Sequence, residues 1–441
     1  MRNKNSGRTT FNLTVLQMID AVIRQVYARM YEQQWKRDNV EEILLAKALN
    51  NARLIPFYRN RIGDVKIDPS TAVDVLRTVP TLDRFTYMDN ADEINSLPVD
   101  PSGGRVHKSA TNGSTGTALW YRMNQRAGIV DSIASLLEAD AHKRDFTYRS
   151  LGIQTQHEQQ EFDSWGLPFT ALRKTGPAAE LNCRVPVDKQ IDWIMQWREP
   201  SYLLTYPSNL REISYRILER GLAPTHIKQL RTLGETVVDE TRDIVQRAFG
   251  ASIADIYSTR EAGVIAFQCE MGTYHVPPDV GYVECLDDND NPVGVGEIGR
   301  VITTPLQNDA TPLIRYDLGD LARVGTCTCG RVGLAFSTIL GRRRHMLTYP
   351  DGSTARPTFF VKHWMDVVPL VRQVQLIQHT PTEITVHYYA SAPLTDHERK
   401  TLTEKLHQQL WHPFELTYVH HDQPIYQSSH KWEDFISHCS R

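Results

Sequence analysis

The chain has 441 residues, 41% hydrophobic and 23% charged, and its 49 Lys plus Arg against 52 Asp plus Glu leave a formal net charge of −3. At about 150 residues per domain that is chain enough for two or three domains, with a composition ordinary for a globular protein. The near balance of charge argues against nucleic acid held by overall charge, and no apolar run approaches the roughly 18 residues of a membrane-spanning helix. The basic, polar opening residues lack the apolar block of a signal peptide, so a cytoplasmic location is expected.

In chain order, the first 60 residues read as helical. Leu13, Leu16, Ile19, Ile23 and Tyr27 recur at helical spacing, and a second helix is expected from about Val40 to Ala52 with Asn39 as its cap. A polar, proline-marked stretch follows to about Pro101. From about 100 to 260, strand-like and helix-like pieces alternate: a Gly/Ser/Thr-rich loop at 109–117, a helix near 124–143, a buried strand at Ser201–Thr205, a helix opened by Pro207, and a strand at 252–257. This alternation predicts an α/β architecture. Two strands, 280–286 and 298–304, are expected around the turn-rich DDNDNPVG segment. Beyond Gly341 the pattern becomes β-β-α-β over 371–420, a unit of the size of a small domain.

Three segments carry chemistry. In Thr111-Asn112-Gly113-Ser114-Thr115-Gly116-Thr117, glycines let amide N–H groups converge and hydroxyls add donors, which suits a phosphate as well as it suits an ordinary turn. In Tyr257-Ser258-Thr259-Arg260-Glu261-Ala262-Gly263, expected just after a strand, the tyrosine can stack on a base and the carboxylate can ligate Mg²⁺; the plain alternative is a strand-ending turn with a surface glutamate. In Pro312-Leu313-Ile314-Arg315-Tyr316-Asp317-Leu318-Gly319-Asp320, an apolar strand is expected to end in an acidic turn, where Asp320 can accept hydrogen bonds from a diol. Separately, Cys269, His275, Cys327 and Cys329 make a Cys₃His set of the kind that holds tetrahedral structural Zn²⁺; buried free cysteines beside an unrelated histidine are the alternative. Six cysteines in this length do not make a disulfide framework.

The three segments in this order, with Gly341-Arg342 and Lys431, resemble the adenylate-forming superfamily of acyl-CoA synthetases, adenylation domains and luciferases. The SATNGSTGT loop, LLTYPSNL at 203–210, PLIRYDLGD and CTCGR resemble its phenylacetate–CoA ligase branch, with the relatives described as F390-synthetase-like or capsule-biosynthesis proteins.

The resemblance implies a large N-terminal region (1–340) of mixed sheets flanked by helices, a hinge at 341–345, and a small mobile C-terminal α+β domain (346–441). It implies ATP-dependent activation of an aryl or acyl carboxylic acid to an acyl-adenylate with release of pyrophosphate. Transfer to a thiol, most simply CoA, follows; an amine, a carrier-protein thiol or a non-catalytic nucleotide-binding homologue are the alternatives. By resemblance, residues 111–117 hold the departing phosphates, and Gly234, Glu235, Tyr257 and Ser258 belong to the ATP/AMP site. Glu261 holds Mg²⁺, Asp320 the ribose hydroxyls, Arg342 reaches ribose or phosphate, and Lys431 is the mobile catalytic lysine. That branch often carries cysteines at the positions of the Cys₃His set. Arg260, His430 and Arg344 depart from the family pattern at positions usually held by Thr or Ser, Gly and Asp.

Overall fold

The computed structural model describes residues 13–36, 39–96, 104–110, 119–155, 159–342, 346–355, 367–368, 371–422, 425 and 435–439. Six helices come first: α1 (Leu13–Gln33), α2 (Val40–Ala52), α3 (Pro56–Ile62), α4 (Ala72–Thr78), α5 (Arg84–Asp89) and α6 (Ala91–Ile94). Helix α2 has the expected bounds, but Asn39 does not cap it. Its φ of −73° and ψ of 23° lie outside the extended conformation an N-cap needs, and its side chain makes no capping bond. The stretch after 60 is not structureless. Helices α3 to α6 have four to seven residues each, too short for an apolar period to be read, yet they bury Ile62, Leu76, Tyr87 and Ile94.

A hairpin of β1 (Val106–Ala110) and β2 (Trp120–Asn124) leads into α7 (Gln125–Ala141), which Asn124 caps through its side chain. Then follow β3 (Arg149–Gln154), β4 (Gln160–Phe162), α8 (Phe169–Leu172), β5 (Ala178–Asn182), α9 (Val187–Met195), β6 (Ser201–Thr205), α10 (Pro207–Glu219), β7 (Ile227–Leu233), α11 (Asp239–Phe249) and β8 (Ile253–Thr259). The antiparallel strands come next: β9 (Gly263–Gln268), β10 (Tyr274–His275), β11 (Gly281–Leu286), β12 (Ile298–Pro305), β13 (Tyr316–Val324) and β14 (Ala335–Arg342).

Twelve of these strands form one mixed sheet in the order β11-β12-β13-β14-β10-β9-β8-β7-β6-β3-β5-β4. Strands β5, β3, β6, β7 and β8 are parallel, with α9, α10 and α11 between successive strands. Covered strands need not alternate, which is why Ser201–Thr205 reads as a continuous buried run. Leu203, Leu230, Ile213 and Ile217 are fully buried here, each worth about 1.5–3 kcal/mol on transfer from water. Helix α11 has acidic residues in its first turn, Arg247 in its last, and Gly250 at φ +64° as a left-handed stop.

From β8 to β11 every pairing is antiparallel, and β10 joins β9 to β14. The sheet therefore changes character at β8. In open α/β sheets, ligands bind beyond the carboxyl ends of the parallel strands at such irregularities.

The remaining elements are β15 (Leu347–Thr348), β16 (Thr354–Ala355), β17 (Val371–Gln378), β18 (Glu383–Ala390), α12 (Asp396–Gln409), β19 (Glu415–His421) and β20 (Phe435–Ser437). Strands β19-β18-β17-β20 form a separate sheet whose core includes Val374, Leu376, Val386, Leu402 and Leu406. Thr395 and Glu398 close a capping box at the start of α12. The three-residue β20 adds to the expected β-β-α-β pattern. Among the described residues no helix is long and apolar enough to cross a membrane.

Candidate active site

Tyr257 lies on β8 and not beyond it, followed by Ser258, and the chain turns back through Arg260 and Glu261 into β9. Asp320 likewise lies within a strand. Pro312–Ile314 is not a strand; β13 starts at Tyr316 and runs through Asp320. Against β12, Asp317 pairs with Ile302 and Leu321 with Arg300, so Leu318, Gly319 and Asp320 face the single residue Val301 as a bulge. Gly319, at φ +71°, supplies the backbone turn that re-aims Asp320.

These residues meet across long sequence separations. The Tyr257 hydroxyl donates to Asp320 Oδ2 at 2.7 Å, and Arg342 Nε lies 3.2 Å from Asp320 Oδ1. Arg342 Nη1 also donates to the Leu318 carbonyl at 3.0 Å. The Tyr316 hydroxyl reaches Glu261 Oε1 at 3.5 Å, and Glu261 is buried, whereas Arg260 is exposed. Burial, and then the Asp320 charge, push the Tyr257 hydroxyl well above its usual range, so it stays a donor. The Asp320 charge, with Glu261 adding to it, holds Arg342 firmly protonated. A carboxylate oxygen with one partner keeps acceptor capacity, so Asp320 can still receive hydroxyl donors.

The turn after β7 belongs to the same neighbourhood. A side chain at Gly341 (φ +81°) would meet Thr236 Oγ1 at 2.3 Å, so the end of β14 seats directly on the turn that carries Gly234 and Glu235. Glu235 itself is engaged with α10. It accepts from the Ser208 backbone N–H at 2.9 Å and from the Ser208 hydroxyl at 3.1 Å, a negative charge at a helix N-terminus.

A second constellation lies at the other ends of the same strands. Cys269 follows β9, His275 is on β10, and Cys327 and Cys329 sit between β13 and β14. One ligand atom from each of the four lies within 4.8 Å of all the others. Cys269 Sγ and Cys327 Sγ are 3.7 Å apart, and Cys329 Sγ is 3.3 Å from His275 Nε2. Zinc–thiolate bonds of about 2.3 Å in a tetrahedron require sulfurs about 3.8 Å apart, so the residues present fit such an ion. Burial, with the positive charge of Arg331, pushes the His275 imidazole down to about 4, leaving it in the neutral form that ligates. The cluster is braced from outside. Trp35 lies under the Arg331 guanidinium, whose Nε donates to Gln34 Oε1 at 3.0 Å.

No family model matches the chain. It is similar to the phenylacetate-coenzyme A ligase of Thermus thermophilus, 27% identical over 317 residues, covering 66% of this chain and 67% of that one. The Pseudomonas putida phenylacetate-coenzyme A ligase is 26% identical over 61% of this chain and 62% of its own, so the match spans less than two thirds of that relative. These similarities accord with the resemblance to the phenylacetate–CoA ligase branch of the adenylate-forming superfamily. Among solved structures, 2-hydroxyisobutyryl-CoA ligase in the postadenylation state aligns over 91% of this chain and 89% of its own, with a TM-score of 0.68. At 16% identity that likeness is one of fold. It accords with the mixed α/β sheet flanked by helices described above.

Set against this adenylate-forming fold, the structure brings Tyr257, Ser258, Glu261, Asp320 and Arg342 to one end of the sheet beside Gly234 and Glu235. It gathers Cys269, His275, Cys327 and Cys329 at the other. Residues Thr111 to Thr117, Lys431, His430 and Arg344 lie outside the described residues. Trp165 packs against Phe146, Phe169 and Tyr202.

The sequence hid several members of the site's frame. The Tyr121 hydroxyl donates to the Arg260 carbonyl at 2.6 Å, and Asp131 accepts from the Val264 N–H, so β2 and α7 clamp the Glu261 turn from two sides. Arg315, held at φ +49°, pairs with Glu284 at 3.0 Å and donates to the Val79 carbonyl at 2.7 Å. Beneath the sheet, the fully buried Glu138 receives Arg144 and, at 3.1 Å, Arg231. Burial opposes its ionisation, but the two guanidinium charges hold the carboxyl down at about 2. Apart from Arg260 and Arg315, which stand in the second and third segments, none of these residues stands in a motif. Each is defined by a partner that only the fold supplies.

Proposed function

We propose that this chain is an ATP-dependent, AMP-forming acid–thiol ligase: it joins a carboxylic acid to AMP with release of pyrophosphate, then passes the acyl group to a thiol, most simply that of CoA. The named activity of the curated relatives supports the reading. The observation that carries it is the convergence of Tyr257, Asp320, Arg342 and Glu261 where the parallel strands end. In this reading the Asp320 carboxylate, already oriented by Tyr257 and Arg342, accepts the ribose hydroxyls. Arg342 adds positive charge beside the phosphates. Glu261 is the residue that would hold Mg²⁺, whose chemistry is to neutralise phosphate charge as the carboxylate oxygen attacks the α-phosphorus. Residues 111–117 hold the departing pyrophosphate, and Gly234 and Glu235 border the adenine. Lys431 stands in a small mobile domain from 346 onward, an assignment supported by the separate sheet and core of that region.

Cys269, His275, Cys327 and Cys329 are assigned to a structural Zn²⁺. Their separations and the closed set of four donors support that assignment. All six cysteines are free in the structure, which accords with the reducing cytoplasm in which ATP and CoA are available.

The test is ATP–pyrophosphate exchange in Mg²⁺ with pooled aryl, fatty and amino acids. Acid-dependent exchange is expected, and dividing the active pool identifies the substrate. No exchange from a folded, ATP-binding protein overturns the catalytic reading. Acceptor competition among CoA, a carrier-protein phosphopantetheine and simple amines then tests the second step, with CoA expected to win.

A further inference from the structure

His275 turns Nε2 toward the cysteines, 3.3 Å from Cys329 Sγ. Its other ring nitrogen, Nδ1, is buried and makes no hydrogen bond to any described residue. Most buried polar atoms are partnered, by protein or by ordered water, so an orphan of this kind needs a cause. A second one lies nearby. Asp279 is 1% exposed, and its Oδ1 also lacks a hydrogen bond. Arg29 of α1, its side chain 43% exposed, donates from Nε to Asp279 Oδ2 at 3.3 Å and lies equally close to Oδ1 as an ion pair that is not a hydrogen bond. Both residues line one small cavity, together with Met30, Gln34 and Arg331. The segment between them, Val276-Pro277-Pro278, contains two prolines whose fixed φ limits how far the two side chains can drift apart. Asp279 is not among the four groups that converge within 4.8 Å, so it is not a direct ligand.

We propose that a buried water occupies this cavity, accepting from His275 Nδ1–H and donating to Asp279 Oδ1, and that Asp279 is thereby a positioning residue for the four-residue metal set. One water satisfies both orphan atoms at once, which an empty cavity does not. Holding the proton on Nδ1 fixes the tautomer that presents the Nε2 lone pair to the metal position. It also gives a reason for a carboxylate to be almost wholly buried against a half-exposed arginine.

The inference rests on the metal reading, and one experiment separates the two. Zinc release to a chromogenic chelator is timed on the full-length protein for wild type, Asp279→Ala, Asp279→Asn and Arg29→Ala. Asp279→Ala is expected to release zinc about 10- to 100-fold faster, and Asp279→Asn, which conserves shape, about 10-fold faster. Arg29→Ala keeps the carboxylate and is expected to stay near wild type. Wild-type protein without stoichiometric zinc defeats the metal reading itself. Wild-type protein that holds zinc while both Asp279 variants match its release defeats the role of Asp279. Equal acceleration in Arg29→Ala shows that Asp279 acts through its ion pair and overturns the bridge. A crystal structure of the wild type at high resolution gives a readout independent of any variant: an ordered water between Nδ1 and Oδ1 supports the proposal, and a dry cavity overturns it.

Discussion

Strands β9, β13 and β14 have two ends of opposite chemistry. At one end Glu261 precedes β9, Asp320 sits in the β13 bulge and Arg342 closes β14; at the other Cys269 follows β9, and Cys327 and Cys329 lie between β13 and β14. The first end is built from ionised or ionisable groups held in position by neighbours yet keeping acceptor capacity. The second is a closed set of four soft donors whose partners are one another. About six residues of strand, roughly 20 Å, separate them along β9. One set of strands can serve turnover at one end and rigidity at the other, because the sheet between is fixed by backbone hydrogen bonds whichever residues stand at its tips.

The comparison breaks if the two ends fail to separate experimentally. The largest effect is expected from Cys327→Ser. It should lose stoichiometric zinc and lower the unfolding midpoint by about 5–10 °C, read by metal analysis and calorimetry. Below the new midpoint, exchange per folded molecule should be largely kept. A Cys327→Ser protein that retains one zinc removes that thiol from the set.

Glu261→Gln should do the reverse. Zinc content and melting should stay at wild-type values while pyrophosphate exchange falls about 100-fold or more. Unchanged exchange takes Glu261 out of the site. The smallest and sharpest effect belongs to Tyr257→Phe, which deletes the 2.7 Å bond to Asp320 and leaves the carboxylate to Arg342. One such bond is worth about 1–1.5 kcal/mol, so half-saturating ATP should rise about 5- to 10-fold. Equal weakening of acid binding, measured at saturating ATP, would show that Tyr257 acts on the whole site and not on the nucleotide side.

What the sequence disclosed follows from the range of each interaction. Helix α2, strand β6 and the start of α10 at Pro207 depend on local pattern and on proline, and their expected positions match the structure. The charged residues were legible in two of the three segments, but their geometry was not. Asp320 was expected in a turn and stands in a bulge, because a bulge depends on the register with β12 and leaves no local mark beyond Gly319. The cap expected at Asn39 failed because residue type alone does not set backbone conformation. Arg315 pairs with Glu284, 31 residues away, Tyr121 with Arg260, and Glu138 with Arg231, 93 residues away. Such partners are chosen by topology, which no window along the chain contains. The cysteines were easier, since thiols are few and their type already limits what they can hold.

The contact of Gly341 on Thr236 has a consequence for how this chain can vary. The backbone leaving β14 passes over the turn after β7 with no room for even one methyl group. An alanine there would act as a wedge, tilting the exit of the chain and, with it, everything that follows residue 342. Residue 341 thus works like the seat of a bearing, where the tolerance for substitution is set by clearance and not by chemistry.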